Sequence, residues 1–147
     1  MSENPVIVRV EQDEQIVATR DVLRQLRPNL PGDEKDYLAV VRSIMASDGY
    51  RLVAVVEEGT VRAVAGYRLF RMLYCGRILS VDDLVTDERV RSRSHGARLL
   101  TWLKAEGRAT ECAELHLISR VTREAAHRFY FREGLQSDCY HFRAILS

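Results

Sequence analysis

Cysteine pairs, a long apolar run and an excess of charge are all missing from this chain of 147 residues. The cysteines number three and stand far apart, at Cys75, Cys112 and Cys139. That pattern argues against a disulfide framework and for free thiols in a reducing compartment. No apolar run approaches the ~20 residues that span a bilayer, and residues 1–5 (MSENP) lack the features of a secretory signal. We therefore expect a cytoplasmic protein with no membrane partner.

The charge is nearly balanced, because 22 basic and 21 acidic residues give a net charge of +1. This balance, with no recognised nucleic-acid-binding motif, argues against a nucleic-acid partner. Any site for a polyanion must then be local. The length suits one continuous core and is short for two, so we expect a single domain over residues 1–147.

Hydrophobic periodicity and turn residues predict alternating strands and helices. The predicted strands cover 6–10, 51–56, 61–73, 77–85, 114–119 and 137–146. The predicted helices run from Asp13 to about Leu26, from Asp33 to Asp48, from about 94 to 108, and from 123 to 133. The order indicates a sheet of about six strands flanked by four helices, with α/β or α+β layering.

Residues 87–97 join a predicted strand to a predicted helix, and a helix N-terminus binds anions through unpaired amide N–H groups and its dipole. Small residues that let a pyrophosphate approach the backbone are Ser92, Ser94, Gly96 and Ala97. Residues that can add charge are Arg91, Arg93 and Arg98, and His95 lies among them. From local composition alone, an ordinary polar loop before an ordinary helix is an equal alternative.

Two motifs carry a family resemblance. Residues 91–96 (RSRSHG) resemble the acyl-CoA signature R/Q-x-x-G-x-G/A of the GNAT superfamily of N-acetyltransferases, and residues 126–135 (AHRFYFREGL) resemble its second motif. Ser94 replaces the usual first glycine. A positive φ there would strain serine, whereas a helix N-cap position favours it, and we favour the cap.

The resemblance implies a mostly antiparallel GNAT-like sheet and transfer of acetyl from acetyl-CoA to an amine in a ternary complex. It places Tyr130 where the family has the tyrosine that protonates the departing thiolate; without the resemblance, a packing role would be the more common one. It also assigns the pantetheine contacts to the backbone of Leu84, Val85 and Thr86, and a lesser contact to Ser119. The acyl-CoA contacts are then completed by Arg91, Ser92, Arg93, Ser94, His95, Gly96 and Ala97.

Asp82 and Asp83 are the candidates for the base that takes the proton of the acceptor ammonium. Strand alternation sends adjacent side chains to opposite faces, so only one of them is expected to face the acceptor. Spacing does not choose between the two, and pairing with nearby arginines is as good an interpretation as catalysis.

The histidines His95, His116, His127 and His141 show no metal-binding spacing with the cysteines, so we expect no metal. The chief rival function is a noncatalytic acyl-CoA-binding regulatory module. The acceptor, a small molecule or a protein amine, stays open. An edge strand at 139–142 favours a homodimer.

Overall fold

The structure is a computed structural model that describes residues 4–147, apart from the side chain of Ser92. Met1, Ser2 and Glu3, on which part of the signal-peptide prediction rests, lie outside the described residues. The chain forms two compact units, Met1–His116 and Leu117–Ser147, which are described separately. The single domain stays a prediction.

The described residues form five strands and five α-helices in an α+β arrangement. The strands are β1 (Val6–Val10), β2 (Arg51–Glu57), β3 (Thr60–Met72), β4 (Gly76–Thr86) and β5 (Glu114–Leu117). The helices are α1 (Asp13–Ala18), α2 (Arg20–Leu26), α3 (Glu34–Asp48), α4 (His95–Ala109) and α5 (Glu124–Arg132), and a 3-10 helix covers Glu88–Arg93.

The sheet has the order β1-β2-β3-β4-β5, and its first four strands pair antiparallel with their neighbours. β5 follows β4 through the helix α4, the kind of crossover that a parallel pair requires, so the sheet is mixed and mostly antiparallel. Side chains of α1, α2 and α3 form one core cluster with residues of the strands β1 to β4. Within it, α2 contacts both β3 and β4. The helix α4 contacts β3 and β4 and buries Leu99, Leu100 and Leu103 completely.

Local signals located most elements correctly. Asp33 caps α3 by accepting a hydrogen bond from the Lys35 N–H, and Gly49 ends that helix with a φ of 69°. Glu58 and Gly59 form the β2–β3 hairpin turn with positive φ angles of 51° and 76°. These features confirm the predicted helix and the turn between the predicted strands 51–56 and 61–73.

The predicted helix from Asp13 to Leu26 is wrong in detail, because two helices meet at Thr19. The Thr19 hydroxyl donates to the Ile16 carbonyl at 2.6 Å and lies 2.7 Å from the buried Tyr37 hydroxyl. A threonine that bonds back to a preceding carbonyl bends or interrupts a helix. The N-cap is Gln12 and not Asp13.

The sixth strand is also wrong, because residues 135–147 form neither helix nor strand. Their apolar side chains are exposed, Tyr140 and Phe142 at 89% each and Leu146 at 95%. Alternation shows that a segment suits a strand, but a strand also needs a hydrogen-bonding neighbour, which alternation cannot supply. The homodimer stays a prediction without the edge strand that favoured it.

A buried carboxylate fastens α4 to the sheet. Glu106 of α4 is 6% exposed and accepts hydrogen bonds from Arg9 of β1 at 2.6 and 2.9 Å and from the Tyr67 hydroxyl of β3 at 2.7 Å. The Arg9 guanidinium also lies over the Trp102 ring, 4.9 Å from its centre. The bonds from Arg9 lower the pKa of Glu106 to about 2, against the opposing effect of burial.

Replacing Glu106 with glutamine should lower the free energy of unfolding by about 1–3 kcal/mol at pH 7. Because the pKa of Glu106 falls from 4.5 to about 2 on folding, its contribution is present above pH 4.5 and is lost as the pH falls toward 2. Urea unfolding of both proteins from pH 7 to pH 2.5 checks this. The difference in the free energy of unfolding between the two proteins should become smaller as the pH falls. Glu11→Gln, at an exposed position, is the control, and a pH-independent difference would contradict the assignment.

Candidate functional site

The pairing of β3 with β4 contains an irregularity beside the two candidate aspartates. Gly66 lies opposite Asp83, but the next residue, Tyr67, lies opposite Val81. Asp82 is therefore an extra residue in β4, a β-bulge. Bulges of this kind redirect side chains near functional sites.

The bulge places both carboxylates on one face of the sheet. Side chains alternate along β3, so Tyr67 faces α4 while Gly66 and Arg68 face the opposite side. Asp83 lies opposite Gly66, and Asp82 bonds to Arg68. The prediction that alternation would separate the two aspartates is therefore wrong, because the extra residue interrupts the alternation.

Asp83 accepts hydrogen bonds from two side chains that lie outside the sheet. The Tyr50 hydroxyl donates to Oδ2 at 2.7 Å, and Nε of Arg27 donates to Oδ1 at 2.9 Å. Burial, and then the neighbouring Asp83, raise the pKa of Tyr50, so this tyrosine stays protonated as a donor. Sequence reasoning missed both Tyr50 and Arg27.

Asp82 makes a two-pronged ion pair with Arg68 of β3. Nε of Arg68 donates to Oδ2 at 2.6 Å and Nη2 donates to Oδ1 at 2.9 Å. Nη2 of Arg27 donates to the backbone carbonyl of Asp82 at 3.1 Å, while its Nε donates to the Asp83 carboxylate, so Arg27 contacts both residues of the pair. The Asp82 and Asp83 side chains keep 25% and 16% of their surface exposed, so the cluster borders solvent.

Space for the Tyr50 hydroxyl comes from Gly66. A Cβ atom at position 66 would overlap that hydroxyl group. An isolated glycine inside a strand pattern signals a bulge or a close approach, and here it marks both. Gly66 was therefore the sequence signal from which the bulge and the close approach of Tyr50 could have been predicted.

The segment after β4 is fixed at its first residue. Asp87 is fully buried and accepts hydrogen bonds from the backbone and side chain of Arg89 and from the Gln25 amide. The Arg89 bonds lower the pKa of Asp87 to about 2, although burial opposes them. Val90 is also buried, so the 3-10 helix is anchored before Arg91 and Arg93.

Ser94 lies at the N-cap of α4, but with φ 62° and ψ 22° and no hydrogen bond from its side chain to the helix. The expected serine cap is thus wrong in its geometry: the position is left-handed, as the family's glycine would be, and serine occupies it with some strain. Within the helix, the N–H groups of His95, Gly96 and Ala97 have no carbonyl to bond.

The side chains around this helix start divide into two sets. His95 is 1% exposed, and neither ring nitrogen has a hydrogen-bond partner among the described residues. Burial lowers the pKa of His95, so the ring is neutral. Of the predicted contacts, His95 can offer only its backbone. Arg91, Arg93 and Arg98 are exposed, and Arg93 lies 3.4 Å from Glu57. The Ser92 side chain lies outside the described atoms.

The end of β4 carries the predicted backbone contacts Leu84, Val85 and Thr86, which pair with β3. The Ala113 N–H donates to the Arg77 carbonyl at 2.7 Å, which places β5 beside the beginning of β4. The four residues of β5 span only about 13 Å, too little to reach Leu84 from there. The last residues of β4 therefore extend beyond their short neighbour.

The second unit contains the two remaining candidates. Tyr130 on α5 is 9% exposed and packs at a tilt against Phe129, with ring centres 5.6 Å apart. The Ser119 hydroxyl oxygen is buried and has no hydrogen-bond partner among the described residues. His127 binds the Arg120 carbonyl through Nε2 at 2.8 Å and fixes the start of the helix.

One cluster of polar side chains was not predicted from the spacing of residues in the sequence. Cys75, Glu114 and His116 bring possible ligand atoms within 4.8 Å of one another, and His116 Nε2 lies 2.7 Å from Glu114 Oε1. Cys75 belongs to a turn and the other two to β5, so no short motif marks them. The absence of a metal stays a prediction. No helix in residues 4–147 is long and apolar enough to cross a membrane.

Comparison with known proteins identifies relatives by sequence. The family model described as "Acetyltransferase (GNAT) family" matches residues 16–134. The uncharacterized N-acetyltransferase YhdJ of Bacillus subtilis is 30% identical over 123 residues, 83% of this chain and 85% of that protein. An aminoalkylphosphonate N-acetyltransferase of Salmonella typhimurium is 29% identical over 97 residues, 66% of this chain and 62% of that protein.

Solved structures show the same fold. An aminoglycoside N-acetyltransferase in complex with CoA superposes with a TM-score of 0.81 at 15% identity, covering 98% of this chain and 96% of that one. The family match covers most of this chain, the two relatives transfer acyl groups to nitrogen by name, and the fold agrees. The chain therefore belongs to the GNAT family of acetyltransferases and is an N-acetyltransferase.

Proposed function

We propose that this enzyme moves an acetyl group from acetyl-CoA directly to an amine while both substrates are bound. The observation that carries the proposal is the junction at Ser94, where a left-handed residue starts α4 and leaves the first amides of the helix for an anion. A pyrophosphate would bind the backbone of His95, Gly96 and Ala97. The exposed Arg91, Arg93 and Arg98 would add charge, and Ser92 lies in the same stretch.

The pantetheine arm would pair with the backbone at the end of β4. Leu84, Val85 and Thr86 bond to β3 on one side, and β5 is too short to reach them on the other. The unpartnered hydroxyl of Ser119 supports a polar contact with the same cofactor. The family match runs from residue 16 to residue 134, across the boundary between the two units, which supports one domain for the whole chain.

Acetyl transfer needs a base for the ammonium and an acid for the departing thiolate. Asp82 or Asp83 would take the ammonium proton, directly or through water, since both lie on one partly exposed face. Tyr130 would protonate the thiolate of CoA as the tetrahedral intermediate collapses. Acceptors that remain open include small amines, polyamines, amino acids, aminoglycosides and protein amines. The aminoalkylphosphonate relative adds amines with an anionic group to the candidates.

Tyr130→Phe should lower kcat roughly 100-fold or more, the usual contribution of a general acid, while the Kd for acetyl-CoA stays unchanged. Steady-state CoA release and calorimetry measure the two quantities. Tyr140→Phe, at an exposed tyrosine of the same unit, is the control. An unchanged kcat and pH profile in the Tyr130 variant would remove the acid assignment.

Gly96→Leu should weaken acetyl-CoA binding roughly tenfold or more, because a side chain on the first turn blocks the approach of the pyrophosphate. Leucine suits a helix, so α4 should still form. Gly107→Ala in the same helix is the control, since its Cβ would meet neighbours only at 3.8 Å. Normal acetyl-CoA affinity in a folded Gly96→Leu protein would contradict the loop assignment.

Asp82→Asn and Asp83→Asn separate the two candidate bases. Loss of the base should lower kcat by a factor of about 100 to 10,000, and part of that loss should be recovered at high pH, where the free amine needs no base. The other variant should change mainly KM. Asp36→Asn, at an exposed position on α3, is the control. If neither variant changes kcat, no aspartate of the pair is the base.

A further inference from the structure

The cluster around the bulge combines charges of both signs in an arrangement that selects among amines. Asp82 and Asp83 form its negative part, and Arg27 and Arg68 form its positive part. Asp48 adds a weaker attraction on Arg68. Three carboxylates thus act beside two guanidinium groups, and the neutral Tyr50 hydroxyl donates to one of the carboxylates, Asp83. The inference below rests on the proposed function.

Both arginines keep donors in reserve. Among the described residues, each uses Nε and Nη2 in its hydrogen bonds. A guanidinium has five N–H donors, so the two on Nη1 and one on Nη2 of each arginine stay available. The Arg27 and Arg68 side chains are 48% and 37% exposed. A ligand can therefore reach these donors from solvent.

The charges disfavour two classes of acceptor. A polyamine or another polycation would leave the spare guanidinium donors without an acceptor and would place its further positive charges beside Arg27 and Arg68. A purely anionic ligand would be repelled by the carboxylates. A molecule with one ammonium and one anionic group satisfies both parts, because its ammonium approaches a carboxylate while its anion binds the spare guanidinium donors.

We infer that the acceptor is a small zwitterionic amine, in which roughly one to three carbon atoms separate a primary amine from a phosphonate, phosphate or carboxylate group. The short spacing follows because Asp82 and Asp83 are neighbours in the chain, with Cα atoms about 3.8 Å apart, and each is directly bonded to an arginine. The carboxylates hold and deprotonate the ammonium. The guanidinium groups fix the anionic end and so orient the amine.

The test compares matched acceptors by kcat/KM for CoA release. 2-Aminoethylphosphonate, O-phosphoethanolamine and β-alanine represent the three anions; propylamine and ethanolamine lack an anion, and spermidine is a polycation. At least one zwitterion should exceed the plain amines by roughly tenfold or more. Arg27→Gln and Arg68→Gln should remove that preference. Arg71→Gln, exposed on the same strand as Arg68, should keep it.

The ratio between a zwitterion and its plain amine separates recognition from structural damage, because a merely structural variant lowers both rates equally. An equal loss for both acceptors would overturn the inference. Plain amines or spermidine that match the zwitterions would also overturn it and leave acetyl transfer intact. If no acceptor reacts, calorimetry with 2-aminoethylphosphonate and the CoA complex decides. Binding that needs Arg27 and Arg68 supports the recognition and overturns only the transfer, and no binding overturns both.

Discussion

Between Val81 and Asp83, β4 holds one residue more than β3, and the chemistry of the site depends on where that residue puts the next side chains. In a regular ladder Asp82 and Asp83 would point to opposite faces, one of them toward α4. The bulge turns both toward the side from which Arg27 and Tyr50 approach. This irregularity in pairing thus brings the polar side chains together on one face of the sheet.

The opposite face of the sheet holds a carboxylate with a different role. There, Glu106 is saturated by Arg9 and Tyr67, and its charge is fully used in holding α4 against β1 and β3. A carboxylate so enclosed contributes to stability and has little capacity left for chemistry. The sheet therefore separates a structural carboxylate from two that border solvent. The α4 helix, which the first carboxylate holds in place, begins at the segment proposed to bind the pyrophosphate.

Helices and turns that a few adjacent residues determine could be predicted from the sequence, and contacts between distant segments could not. Asp33 and Gly49 mark the ends of α3, and Glu58-Gly59 marks a hairpin, because caps and turns depend on a few adjacent residues. The break at Thr19 depends on a hydroxyl partner on α3, and residues 137–146 required a strand neighbour that alternation does not reveal. The aspartates were found from the sequence. Pairing with arginines was one expected interpretation, but the common face and the identity of the partners were not predicted, because the face follows from strand register and Arg27 comes from the distant end of α2.

The empty position beside Gly66 links two residues that are far apart in the chain. Because the Tyr50 hydroxyl occupies the volume that a side chain at 66 would need, any side chain at 66 requires a smaller residue at 50. A relative with alanine at 66 must carry a smaller residue at 50, and its counterpart of Asp83 then loses an uncharged donor and depends on its guanidinium alone. Covariation of this pair across the family would therefore record which relatives hold that carboxylate with a tyrosine hydroxyl and which do not.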